Sequence, residues 1–71
     1  MTIEMATQLI KNFSGRTIAK IDTLANGDKV VRDFYGKRLG TYDKKSDVTR
    51  DFYGKIIAHG DACGMLYADL N

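Results

Sequence analysis

His59, Asp61 and Cys63 carry the side chains of this chain with the most chemistry to offer. They alternate, so on an extended strand they share a face. An imidazole, a carboxylate and a thiolate converging on one point would make a zinc site, with ligands about 2.0–2.3 Å from the ion. A thiol beside an imidazole would make a nucleophile. Extended geometry works against both: at roughly 3.3 Å per residue, His59 and Cys63 stand about 13 Å apart. Only a tight turn across residues 61–64 would bring them together. The positions matching His59 elsewhere in the chain are Lys20 and Thr41. A neutral strand histidine and a turn cysteine are therefore expected, with no metal, no cofactor and no enzymatic activity.

A second constellation recurs. Asp33, Asp51 and Asp69, with Asn12 in the matching place, would hold a cation or work as acid and base if they formed a ring. The alternative is structural. An aspartate before a turn accepts hydrogen bonds from the backbone amides that follow. Its neighbours Arg32 and Arg50 can pair with charges across the sheet, worth roughly 0.2–1 kcal/mol each. Turn formers must recur in every copy of a repeat and catalytic groups need not, which favours the structural role. Tyr35 and Tyr53 are the candidate ligand- or partner-binding residues. They sit at hairpin tips beside Arg and Lys, where exposed rings stack on a sugar or hold a protein. Phosphate-binding glycine loops, nucleophile elbows and zinc-finger spacings do not occur in the sequence.

What positions these residues is a repeat. Arg32-Asp33-Phe34-Tyr35-Gly36-Lys37 returns letter for letter 18 residues later, as Arg50-Asp51-Phe52-Tyr53-Gly54-Lys55. The same pattern aligns Gly15, Gly36 and Gly54, then Phe13, Phe34 and Phe52, then the aliphatics Ile18, Leu39 and Ile57. A small residue follows each aliphatic (Ala19, Gly40, Ala58), and an aspartate lies three further on (Asp22, Asp43, Asp61). Leu9, Val30 and Val48 precede each phenylalanine by four. The copies run approximately over 11–31, 32–49 and 50–67, with partial copies at 8–10 and 68–71, all within one domain of 71 residues.

Each copy reads as a β-hairpin. Val30, Arg32 and Phe34 alternate with Val31 and Asp33, and glycine supplies the positive φ of the turn. Asn26-Gly27 is a further turn signal. Leu66, Tyr67, Asp69 and Leu70 match the start of another copy and predict a seventh strand. Residues 1–7 read as either a short helix or a strand. A strand over 3–5 pairing with the C-terminal strand would close the sheet and remove its edges. The small residue in every copy implies hairpins converging on a crowded centre, with Phe13, Phe34, Phe52 and Leu70 at the periphery or against a partner.

The Asp-Phe-Tyr-Gly-Lys unit is followed by Leu39-Gly40-Thr41-Tyr42-Asp43 or by Ile57-Ala58-His59-Gly60-Asp61. So arranged, it resembles the repeats of the small bacterial β-flower proteins over roughly residues 8–71. That resemblance implies an all-β fold of tandem antiparallel β-hairpins arranged radially, with three to four petals and no established activity.

Composition narrows the function. A single cysteine excludes an internal disulfide, and a domain this short is marginal alone. Self-association is thus the expected extra source of stability, and the chain reads as a non-enzymatic structural or interaction module working as a homo-oligomer. An unidentified protein or a glycan is the alternative partner. Eleven basic and nine acidic residues are interspersed, which does not point to nucleic acid or to an anionic membrane. The free thiol and an opening without a positively charged, then apolar, stretch lead to an expected cytoplasmic location.

Overall fold

The structure, a computed structural model, describes residues 4–68. It is all-β apart from one helical turn. Six strands follow one another side by side in a single antiparallel sheet: β1 (Glu4–Lys11), β2 (Thr17–Leu24), β3 (Lys29–Asp33), β4 (Arg38–Asp43), β5 (Val48–Asp51) and β6 (Ile56–His59). A short helix, α1 (Gly64–Tyr67), closes the described chain. It is the only helix among the described residues and is far too short to cross a membrane.

The repeat explains the register. Asn12, Asp33 and Asp51 each start a tight turn in which the glycine three residues on donates its amide back to their carbonyl, at 2.9–3.0 Å. Those glycines have φ of +84°, +89° and +84°, a region that costs other residues strain. Beyond each turn the pairing slips by one residue. Ile10 faces Ala19 while Lys11 faces Thr17; Val31 faces Gly40 while Arg32 faces Arg38; Thr49 faces Ala58 while Arg50 faces Ile56. The residue left over is the repeated aliphatic, Ile18, Leu39 or Ile57. The hydrophobic–small pair of each copy is thus a β-bulge followed by the residue that restores register, a device that sharpens strand twist.

Cross-strand partners share a face. One face carries Ile21, Val31 and Tyr42, which cluster with Cys63, and Ile10, Leu39, Leu66 and Tyr67 pack around them. The opposite face is mixed: the row Asp22, Val30, Thr41 and Arg50 crosses it, and Val48 is buried there. Here Arg32 pairs with Asp22 at 2.8 Å and Arg50 with Asp43 at 3.6 Å. Each arginine therefore pairs with the repeated aspartate of the preceding strand.

Two expectations are corrected. Leu66 and Tyr67 do not begin a seventh strand but lie in α1; Asp69 and Leu70 lie outside the described residues. After Cys63 there is no Asp-Phe-Tyr-Gly turn to send back another strand. Met65, Leu66 and Ala68 favour helix, and the helical turn lays Leu66 over the apolar face. Nor does a separate eighth strand precede β1. Glu4 and Met5 are the first residues of β1 itself, and Ile3 lies outside the described residues. Among the described residues, β1 and β6 pair on one side only, so the sheet is open.

The crowding expected at the small positions is present at Gly40. A Cβ there would press on the Arg50 carbonyl oxygen and come within 2.6 Å of Leu66 Cδ2. Ala19 is fully buried.

Candidate functional site

Because successive strands run in opposite directions, the turns after β1, β3 and β5 emerge at one end of the sheet. All three carry the repeated Asx-Phe-(Ser/Tyr)-Gly sequence. Each is held by its first side chain. Asp33 Oδ1 accepts the amides of Tyr35 and Lys37, both at 2.9 Å. Asp51 Oδ1 accepts those of Tyr53 and Lys55 at 2.9 and 3.0 Å, and Asn12 Oδ1 those of Ser14 and Arg16 at 3.0 and 3.1 Å. Asp33 and Asp51 are turn caps, and Asp69, the remaining member of the expected carboxylate series, lies outside the described residues.

Capping fixes what projects. Tyr35 and Tyr53 are 86% and 88% exposed, and Phe13 is exposed in full. Phe34 and Phe52 are about half exposed, each meeting its tyrosine edge to face at 5.4 and 5.3 Å. Neighbouring tips touch. Lys37 Nζ lies 5.6 Å from the Phe52 ring centroid, and a groove of about 220 Å³ runs between the first two tips, lined by Asn12, Arg16, Ile18, Asp33, Phe34 and Tyr35 among others. The tyrosines expected at hairpin tips are at hairpin tips. The phenylalanines, expected at the periphery or against a partner, belong with them. The signal for them is their place directly after each cap, with a basic residue, Arg16, Lys37 or Lys55, three positions further on.

The charges, evenly mixed along the chain, are sorted by the fold. Around the tips stand Lys11, Arg16, Lys37, Arg38 and Lys55, all exposed, against Asp33 and Asp51. Around the turns at the other end stand Asp28, Asp43, Asp47 and Asp61 against Lys29, Lys44 and Lys45.

His59, Asp61 and Cys63 lie at that other end. Among the described residues, no three His, Cys, Asp or Glu side chains gather so as to hold a metal ion. His59 is exposed on the edge strand β6. Asp61 forms an ion pair with Lys29; that hydrogen bond holds the carboxyl below its ordinary range and raises the lysine. Cys63 is buried, and desolvation, with its bond to Asp61, pushes the thiol up to about 12. A thiol so held is a poor nucleophile near neutrality. The cluster acts as a clip: Lys29 also lies over the Tyr42 ring at 5.9 Å, and Tyr42 donates its hydroxyl to Asp47 at 2.5 Å. That bond raises Tyr42 to about 12.

No protein-family profile, curated protein or solved structure matches this chain. The reading of its function therefore rests on the geometry of the two ends and of the open edges.

Proposed function

We propose that this chain is a non-enzymatic interaction module that self-associates through the outer edge of β1. The observation that carries this reading is the edge itself. Among the described residues β1 is outermost and eight residues long; its charges, Glu4 and Lys11, and the bulge between Glu4 and Ala6 are confined to its ends, and residues 6–10 have no charge or proline. Edge strands are normally guarded by such features, because their unpaired amides and carbonyls template another strand. Ala6, Gln8 and Leu9 are exposed. In this reading the hairpins β1–β2, β3–β4 and β5–β6 are three petals of the radial arrangement that the β-flower resemblance implies, and a second copy supplies the closure. The recurrence of one turn and one bulge in each hairpin supports their equivalence. The unpaired Cys63 fits a reducing cytoplasm.

Light scattering coupled to size-exclusion chromatography tests the reading. The protein should elute as a dimer or larger, and Gln8→Lys with Leu9→Lys should make it monomeric. A monomeric parent at micromolar concentration would overturn the proposal. A second reading, ligand binding at the tips, is favoured by the near-complete exposure of Tyr35 and Tyr53.

A further inference from the structure

We infer that the end of the sheet bearing the three repeated tips docks on an anionic lipid surface. The phenylalanines enter the headgroup region, and the surrounding lysines and arginines face the lipid phosphates. The inference rests on the tip-binding reading and names the class of ligand.

Three observations lead to it. The first is chemical. Phe13, Phe34 and Phe52 occupy the same place in their turns and are exposed, yet a phenylalanine ring has no polar group to reward contact with water. Tyr35 and Tyr53 beside them are amphipathic, the type enriched at membrane interfaces. The second is electrostatic. Five exposed cations stand against two carboxylates at this end, while acidic residues outnumber basic ones four to three around the turns at the other. A negative surface therefore attracts one end and orients the molecule. The third is what the tips project. Asn12, Asp33 and Asp51 are half-buried and direct a side-chain oxygen into their own turns, so the aromatic rings rather than the caps form the outermost surface.

A nucleic-acid strand is the nearest competitor, since it too joins rings with negative charge. Such a strand calls for a continuous basic track. Here Asp33 lines the groove between the first two tips, and Asp51 interrupts the series between Lys37 and Lys55. The aromatic residues also stand at the apices of turns, which suits a surface better than a strand threaded through a groove.

Co-sedimentation with vesicles tests the inference. The full chain should bind vesicles of equal parts phosphatidylcholine and phosphatidylserine, and bind phosphatidylcholine alone at least about tenfold more weakly, because each juxtamembrane cation adds to attraction by an anionic surface. Added salt should weaken binding. Phe13→Ser, Phe34→Ser and Phe52→Ser together should abolish it while leaving the far-ultraviolet circular dichroism spectrum unchanged. Lys37→Glu with Lys55→Glu should remove the preference for phosphatidylserine, and Lys44→Glu with Lys45→Glu, at the opposite end, should not. No vesicle binding, or binding indifferent to the tip variants, overturns the lipid assignment. If a thymidine oligonucleotide or an arrayed glycan then binds in a manner lost in the Phe variants or in Tyr35→Ala with Tyr53→Ala, the tips remain a binding surface with a different ligand. If neither binds in that manner, the tip-binding reading falls as well.

Discussion

Thr49 ties the end of the chain to the sheet. It is completely buried; its hydroxyl donates to the Gly60 carbonyl at 2.8 Å and accepts the Ala62 amide at 3.0 Å. Valine has the same shape and neither capability. Thr49→Val should therefore lower the unfolding free energy by about 1–3 kcal/mol, the cost of stranding buried polar groups. Thr49→Ser should retain most of the stability. Urea denaturation distinguishes the two, and a valine variant as stable as the parent would refute the role. Nothing in the sequence singles Thr49 out, because its partners are backbone groups brought near by the turn at Gly60. Asp33 and Asp51 were legible for the opposite reason. Their partners lie two and four residues away, so identity and spacing suffice. The pairing of Lys29 with Asp61 spans 32 residues and two different structural contexts, which no local pattern encodes.

The turn and the bulge after it act as one element. Asx capping sets the turn, glycine completes it, the aliphatic forms the bulge and the small residue after it restores the register. Removing the cap tests the unit. Asp51→Ala should cost about 1–2 kcal/mol, by analogy with the loss of a helix cap, while Asp51→Asn should recover most of it. Asn12 performs that task in the first hairpin, which is why asparagine should serve. Thermal unfolding of the two variants supplies the check, and equal losses would show that the charge rather than the amide contacts matters. The strands and their tips were readable from period and glycine placement. The fate of the C-terminal segment was not. Leu66 and Tyr67 fit the strand template residue by residue, but the missing turn signal and the uncovered apolar face decided for helix.

At the scale of the molecule, the C-terminal segment is held over the sheet by charge as well as by packing. The Asp61 carboxyl is depressed by Lys29, so its stabilisation is present above the unfolded value of about 3.9 and is lost as pH falls through the lower folded value. Lys29 is raised, so its share is present below its ordinary 10.5 and is lost as pH rises through the folded value. Both side chains are about one-third exposed, which keeps the pair to about 0.5–1 kcal/mol. Asp61→Asn should therefore be less stable than the parent near neutrality, with the difference shrinking below about pH 4. Denaturation midpoints measured across that range decide the matter; a gap independent of pH would rule out the ion pair as its source. The charge sorting between the two ends was invisible in composition, since it depends on which turns share an end. The length of the repeat has its own consequence. Eighteen residues separate the two identical segments, and they carry the chain along a return strand, around a joining turn and out again. Duplicating or deleting that whole unit leaves the polypeptide travelling in its original direction, so every later apex stays on its side. Gain or loss of one strand would send them all to the other.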